Sequence, residues 1–263
     1  MLRILDARTG EPVSAAPARR GLTRIEAYAS GLDLTALRVL LTADVLVRAL
    51  ELGGTPVWTI LTAPHRLAEL RAAATALSVR PFEDGRDLAS GLGEAQVLHV
   101  TGERDAAPGA GTVVAVAPAT WNGEPPGPAA AAPPGAPAAD APLRALLAAD
   151  ADPGALRLAL LSVPRGTPAS LDAGRLDEAA RTLARWRRAV AGWARQPSRP
   201  VPEEVRTRLR AAWEDDLDLP GVLDVLRDVE GARDIPDGAR FETYAYADRL
   251  LALDLPRDLG SLG

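Results

Sequence analysis

The sequence predicts an α/β domain followed by a helical domain, and three observations support this fold class. Strand-like and helix-like segments alternate up to residue 118, which is the order that produces a parallel sheet with crossover helices. Residues 119–142 are rich in proline, alanine and glycine, a composition typical of a flexible linker. Residues 143–263 contain helical patterns only, so we expect the two domains to be residues 1–118 and 143–263.

The alternating segments define each element of the α/β part. The predicted strands are residues 24–29, 56–61, 96–101 and 112–117, and the predicted helices are residues 35–52 and 67–77. Thr35 is the predicted N-cap of the first helix because its hydroxyl can accept an amide hydrogen bond. Gly53 and Gly54 predict the end of this helix because glycine tolerates the left-handed backbone that often closes helices.

The helical part contains one long amphipathic segment. The predicted helices are residues 143–149, 154–162, 175–195, 202–214, 219–229 and 241–252. In the longest of them, apolar side chains are spaced alternately by three and four residues, at Leu176, Ala179, Leu183, Trp186, Val190 and Trp193. This spacing predicts a seam that packs against other helices of a bundle.

Composition excludes several classes of site. The chain has 263 residues and no cysteine, which excludes disulfides, thiolate zinc sites and cysteine nucleophiles. All 30 basic residues are arginine, so no lysine can form a Schiff base or hold a phosphate. No apolar run approaches the roughly 20 residues that cross a bilayer, and the N-terminus does not have the pattern of a secretory signal. We therefore expect a cytoplasmic protein without membrane contact.

The charge of the chain is unevenly distributed. Residues 174–210 contain ten arginines and four acidic residues, whereas residues 213–263 contain thirteen acidic residues and five arginines. A basic segment of this kind can mark a nucleic-acid surface. Two oppositely charged helical faces that pair with each other would explain the same distribution.

Three segments resemble cysteinyl-tRNA synthetases, a family of class I aminoacyl-tRNA synthetases. Residues 152–193 contain an Asp-Pro pair that opens a helix, an Arg-x-x-Leu-Leu-Ser run, a Leu-Asp turn and a long helix. Residues 2–11 resemble the family's opening strand and turn, and residues 36–54 resemble the helix that follows its ATP-binding signature. The resemblance implies a Rossmann-like nucleotide-binding fold followed by an α-helical bundle.

The family's catalytic positions carry other residues in this chain. Alignment on Asp44-Val45-Leu46 places Asp33 at the position of a histidine in the family's signature. That histidine stabilises the negative charge that develops on the transferring phosphate, and a carboxylate has the wrong charge for this role. Thr35 replaces the glycine that lets the adenine approach the backbone. Ser30-Gly31 replaces the pair whose cysteine binds zinc, and a serine hydroxyl is a poor zinc ligand.

The second signature of the family is also missing. It should lie shortly before residues 143–147, where the chain has Pro133-Pro134-Gly135-Ala136-Pro137 and no basic residue. Related ligases that attach cysteine to an amino sugar need the same metal and both signatures, so the same losses exclude that activity. The resemblance therefore implies a catalytically inactive relative that acts as a binding or regulatory module for a protein partner, without zinc or another cofactor.

Two alternatives to a protein-binding module remain open. Arg181, Arg185, Arg188 and Arg195 lie on one stripe of the long helix, and in the family this region carries the tRNA-binding bundle. The stripe could follow RNA phosphates, or it could be a solvated face with an Asp177–Arg181 ion pair. The other alternative is an enzyme of different chemistry, with a weakly bound nucleotide or other anionic small molecule beside Gly31 at the start of the first helix.

The remaining candidate residues have weaker patterns. His65 follows a predicted strand, at the end of the sheet where α/β folds bind ligands, whereas His99 lies inside a strand and is expected to bind a backbone group. The Gly-x-Gly of residues 90–93 precedes a strand instead of following one, so a plain turn is favoured over a phosphate loop. The acidic residues of segment 214–218 are expected to cap a helix.

Overall fold

The computed structural model describes residues 1–17, 21–84, 94–103, 105, 109–124, 140–148 and 152–260. The strands are β1 (Arg3–Asp6), β2 (Glu11–Ser14), β3 (Leu22–Tyr28), β4 (Val57–Thr62), β5 (Glu83–Asp84), β6 (Glu94–Gly102), β7 (Thr112–Val116), β8 (Ala119–Trp121) and β9 (Ala169–Leu171). The helices are α1 (Leu34–Leu52), α2 (Leu67–Ala76), α3 (Ala141–Ala148), α4 (Pro153–Leu161), α5 (Ala173–Trp193), α6 (Glu203–Glu214), α7 (Leu219–Gly231) and α8 (Asp237–Leu251), and a 3-10 helix follows at Leu255–Asp258. The predicted order of α/β elements followed by helices is confirmed. Among the described helices, none has the length and apolar character needed to span a bilayer.

The main sheet has five parallel strands in the order β5-β4-β3-β6-β7. The central strand β3 alternates between half-buried and buried residues. Ile25 and Ala27 are fully buried and belong to the same core as the apolar residues of α1. Strand alternation thus places one face of β3 under α1 and leaves the polar residues Arg24 and Glu26 on the other face.

Helix α1 begins one residue earlier than predicted, and its N-cap is Asp33 instead of Thr35. The Asp33 carboxylate accepts a hydrogen bond from the amide of Ala36 at 2.8 Å. Thr35 lies in the first turn, and its hydroxyl oxygen is 3.1 Å from the amide of Ala119 and 3.2 Å from its carbonyl oxygen. The predicted end is confirmed, because Gly53 is the C-cap and Gly54 has a φ of +80°.

The predicted linker begins too early. Ala119–Trp121, which we expected to lie in the linker, forms β8 and pairs in parallel with β9. This pairing joins residues far apart in the sequence, so no local pattern indicated either strand. At the other end, α3 begins at Ala141, and residues 125–139 lie outside the described residues. The division into two domains remains a prediction.

The predicted helices of the second part are all present, with shifted ends. The seam of α5 is buried at every position, from Leu176 to Trp193, so the bundle-packing prediction is confirmed. The Trp186 ring is fully buried, and its indole nitrogen donates to Glu230 of α7 at 3.0 Å. The last predicted helix begins four residues earlier than expected, at Asp237.

A buried ion pair connects the sheet's main helix to the helical part. The fully buried Arg157 of α4 donates to Asp44 of α1 at 2.8 Å, and to the carbonyl oxygens of Leu77 and Leu251 at 2.8 and 2.6 Å. Burial raises the pKa of Asp44, but Arg157 and Arg48 outweigh burial and hold this pKa below its ordinary value. The Arg157–Asp44 pair therefore fixes α1, α4 and the ends of α2 and α8 relative to one another.

Candidate functional site

A cavity of about 160 Å³ lies at the carboxyl ends of β3 and β6, beside the start of α1. This is the edge where parallel α/β sheets bind ligands. The cavity is lined by Tyr28, Ala29, Ser30, Asp33, Thr35, Ala36, Val39, Gly102, Glu103, Asp105, Val116 and Pro118. The structure therefore brings together three of the five predicted nucleotide-site positions, Ser30, Asp33 and Thr35. Gly31 lies between the first two, whereas His65 is exposed beyond β4 and does not line the cavity.

The polar lining of this cavity is acidic. Three carboxylates line it, from Asp33, Glu103 and Asp105, and no arginine is found among its described lining residues. The Ser30 hydroxyl donates to Asp105 at 3.4 Å, and Asp33 already accepts a hydrogen bond from the amide of Ala36 in the first turn of α1. Because like charges repel, a phosphate entering here would meet negative groups at the place where a helix N-terminus would otherwise attract it. The sequence pattern had not indicated Glu103 or Asp105, because they follow a different strand.

Arg38, one turn beyond the start of α1, has a structural role. Its guanidinium is 2% exposed and makes four hydrogen bonds to main-chain carbonyl oxygens. These oxygens belong to Ala117, Val163, Pro164 and Thr167, at 2.9, 3.1, 2.7 and 2.8 Å respectively. Burial lowers the pKa of Arg38 to about 10, so the group stays charged near neutral pH. Its bonds fix the corner after β7 to the loop before β9, and they leave it unavailable to a ligand in the cavity.

A second polar cluster surrounds His99 on the other face of the sheet. Glu26 is the direct neighbour of His99 in the pairing of β3 with β6, and its carboxylate lies 3.1 Å from Nδ1. Nε2 lies 2.9 Å from the carbonyl oxygen of Ala110, which confirms that a backbone group satisfies this ring. The Tyr28 hydroxyl donates to Glu26, and burial, followed by Glu26, raises the pKa of Tyr28. Since both ring nitrogens have partners and the ring is 3% exposed, His99 is not accessible as a base for a ligand.

The arginine stripe of α5 lies at the surface. Arg181, Arg188 and Arg195 are exposed, and Arg195 lies just beyond the end of the helix. Arg185 pairs with Glu230 of α7 at 2.9 Å. In the described part of the chain, Arg181 has no carboxylate within 4 Å, so the expected ion pair with Asp177 is not formed. The stripe thus offers three exposed guanidinium groups and one that is already paired.

The opposite charges of the helical part pair with each other, as one of the two explanations predicted. Arg185 of α5 binds Glu230, and Arg208 of α6 binds Asp228, so arginines of two helices pair with carboxylates of the acidic helix α7. The acidic segment 214–218 also has a structural role, since Asp218 caps α7 through the amide of Gly221 at 3.0 Å. Within the described ranges, no group of three or more histidine, aspartate or glutamate side chains could hold a metal ion.

The polar residues that carry the resemblance serve the fold. Asp44 and Arg157 form the buried pair described above. Asp152, of the Asp-Pro pair, caps α4 through the amide of Gly154 at 2.8 Å and binds Arg187 of α5. Arg187 also donates to the carbonyl oxygens of Asp254 and Leu253 at 3.0 and 2.7 Å. The polar residues of the resembling segments therefore make contacts between helices.

Comparison with known proteins finds similarity over part of the chain. No protein-family model matches it. Three curated relatives share the description L-cysteine:1D-myo-inositol 2-amino-2-deoxy-alpha-D-glucopyranoside ligase. The protein from Parafrankia sp. (strain EAN1pec) is 47% identical over 78 residues, which is 30% of this chain and 17% of the relative.

The other two relatives also match only part of the chain, at similar identity. The protein from Streptosporangium roseum is 44% identical over 77 residues, or 29% of this chain and 18% of the relative. The protein from Thermobispora bispora is 41% identical over 90 residues, or 34% of this chain and 21% of the relative. The chain thus matches about a fifth of the length of these relatives. These relatives carry the description of the amino-sugar ligases whose activity we expected the chain to lack, and the partial similarity supports the resemblance only at the level of cysteinyl-tRNA synthetase-like ligases.

Proposed function

We propose that this chain is a binding module built on a ligase-like fold and that it does not activate cysteine with ATP. The observation that carries the proposal is the acidic cavity at the start of α1. Its three carboxylates, from Asp33, Glu103 and Asp105, lie where the resemblance to the synthetase family implies a nucleotide site. A protein partner, recognised through the surface of the fold, is then the expected ligand.

Electrostatic repulsion from the cavity's carboxylates would be large enough to weaken nucleotide binding. Two unit charges about 4 Å apart interact by roughly 4 kcal/mol at the effective dielectric constant of a protein surface. A triphosphate beside Asp33 and Asp105 would experience repulsion of this order from each carboxylate, partly relieved by bound Mg²⁺. The chain has no lysine to offset it, and Arg38 is held by main-chain oxygens. We expect ATP to bind with a Kd in the millimolar range or weaker, worth about 4 kcal/mol or less.

The activity test is cysteine-dependent ATP–pyrophosphate exchange in the presence of Mg²⁺ and added zinc. We expect no exchange above the level of a sample without protein. Robust exchange would contradict the proposal, because it requires a nucleotide and cysteine to be bound together. An amino-sugar acceptor should be included in a second assay, since the curated relatives are named for joining cysteine to such a sugar.

A matched pair of variants tests the cause. In the double variant Asp33→Asn/Asp105→Asn the two charges are removed, while asparagine can still cap α1. If the carboxylates exclude the nucleotide, this variant should bind ATP more tightly than the wild type. Asp218→Asn makes the same change at the N-cap of α7, away from the cavity, and should leave ATP binding unchanged. Equal binding by all three proteins would remove the electrostatic basis of the proposal.

RNA binding is the second candidate, and the exposed stripe on α5 favours it. Arg181 and Arg188 are exposed on the same face of the helix, so their guanidinium groups are available for phosphate contacts. Filter binding of bulk tRNA at two salt concentrations would measure this interaction. Binding through the stripe requires an affinity that falls steeply with salt and drops in Arg181→Gln/Arg188→Gln. The control Arg206→Gln/Arg233→Gln removes the same charge elsewhere on the surface and should bind as the wild type does.

A further inference from the structure

We propose that a cavity between α4, α5 and α7 binds a small organic acid, with the ligand's carboxylate at two arginines and its apolar body on the cavity floor. The cavity has a volume of about 270 Å³, and it shares no described lining residue with the acidic cavity beside α1. The proposal therefore goes beyond the proposed binding function and does not depend on it.

The floor of this cavity is apolar. Four buried side chains form it: Leu158 and Ala159 of α4, Leu171 of β9 and Ala179 of α5. Two of the four are alanines, one on each of two helices that pack against each other, so space that larger side chains would fill stays open. An apolar ligand body placed here would leave water and contact these side chains, which favours binding.

One face of α5 supplies most of the polar rim. Arg175, Glu178 and Thr182 follow one another at i, i+3 and i+7, so they lie on the same side of the helix, and all three line the cavity. Arg227 of α7, far away in the sequence, lines the same cavity. The fold therefore brings to one place two guanidinium groups that sequence spacing does not connect.

Both arginines are available to a ligand. The Arg175 side chain is exposed, and among the described residues its guanidinium has no hydrogen bond or ion pair, not even with Glu178 one turn away. Arg227 pairs with Asp224 of its own helix, and the two side chains are 48% and 68% exposed. Because such an exposed pair contributes little to stability, a ligand carboxylate can share or replace it at small cost.

The charge and size of the cavity favour a small monoanion. The two arginines and Glu178 give its described lining a net charge of +1. A guanidinium offers two parallel N–H donors that match a carboxylate, whereas a phosphate dianion would meet stronger repulsion from Glu178. The volume lies just below the range of roughly 300–1,000 Å³ that is typical of ligand pockets. A small aliphatic or aromatic carboxylic acid has the matching size and charge.

Titration of the full chain with phenylacetate and with hexanoate, followed by amide NMR shifts, tests the proposal. The uncharged phenylacetamide is the matched control ligand. We expect saturable shifts in α4 and the first half of α5 with at least one acid, and binding of phenylacetamide roughly tenfold weaker or less, because its head group lacks the charge that strengthens the hydrogen bonds. Shifts that do not saturate in the millimolar range with either acid, shifts located elsewhere, or equal binding of the amide would overturn the proposal.

Variants separate the two arginines from general effects of charge. Arg175→Gln and Arg227→Gln each remove one guanidinium at an exposed position, so the fold should be retained while binding of the acid weakens roughly tenfold. Arg181→Gln removes the same charge from another face of α5 and should bind as the wild type does. Ala179→Leu fills the floor and should abolish binding, with circular dichroism to check that the helices remain. Unchanged affinity in both cavity-arginine variants would overturn the proposal.

Discussion

Replacing Asp44 by alanine should be the most damaging single change in the interface between the sheet and the helices. The variant leaves Arg157 fully buried without a carboxylate, and its two remaining acceptors are main-chain oxygens. Removing one partner of a buried ion pair typically costs about 3–5 kcal/mol, because the remaining charge stays desolvated. Arg48 and Arg80, which also contact Asp44, reach solvent and can relax, so the main cost comes from Arg157.

Urea unfolding followed by tryptophan fluorescence measures this cost. The control is Arg185→Ala, which breaks the pair with Glu230 in a side chain that is 52% exposed and should cost at most about 1 kcal/mol. The double variant Asp44→Leu/Arg157→Met removes both charges and should recover most of the loss. A loss below about 1 kcal/mol for Asp44→Ala would refute the assignment of this pair as the main connection.

The same pair predicts how stability depends on acid. The pKa of Asp44 is lower in the folded protein than its ordinary value, which is about 3.9 in an unfolded chain. Its contribution is therefore complete above about pH 4 and is lost as the pH falls through the folded pKa. The difference in unfolding free energy between the wild type and Asp44→Ala should shrink in that acidic range, and an unchanged difference would argue against ionisation as its cause.

Two further predictions concern glycine and metal. Gly111→Ala should lose about 1–3 kcal/mol of stability, because Gly111 has a positive φ and its new Cβ would approach the carbonyl oxygen of Val97. Gly192→Ala, in α5, should gain about 0.4–1 kcal/mol, because its new Cβ would have no atom within 4 Å. Thermal unfolding compares the two variants, and equal effects on stability would contradict both expectations. Since Ser30 stands where the family's zinc cysteine would lie, elemental analysis of the purified protein should find no stoichiometric zinc, and one zinc per chain would mean that the site has been misplaced.

Local patterns in the sequence predicted most of the fold. The seam of α5 repeats within a few residues, so its buried positions followed from spacing alone. Strands β8 and β9 were missed because each is three residues long and is stabilised by the other across the chain. The N-cap was placed at Thr35 because serine, threonine and aspartate all favour this position, and only the backbone geometry selects Asp33.

The candidate site was predictable only in part. Alignment of the resembling segments identified Ser30, Asp33 and Thr35, which do line one cavity. The two other carboxylates of that cavity follow β6, and their approach depends on the strand order of the sheet. Likewise, Glu26 could not be recognised as the partner of His99 from spacing, because the contact follows from the cross-strand register. Contacts set by tertiary arrangement were thus the ones that sequence reasoning missed.

Calorimetric titration of the wild-type protein with ATP and Mg²⁺ tests the central claim most directly, because it measures whether the cavity beside α1 holds a nucleotide at all. The acidic lining predicts a Kd in the millimolar range or weaker, corresponding to about 4 kcal/mol or less. A micromolar Kd with one nucleotide per chain would contradict the account, since it would mean that the cavity still functions as a nucleotide site despite Asp33, Glu103 and Asp105.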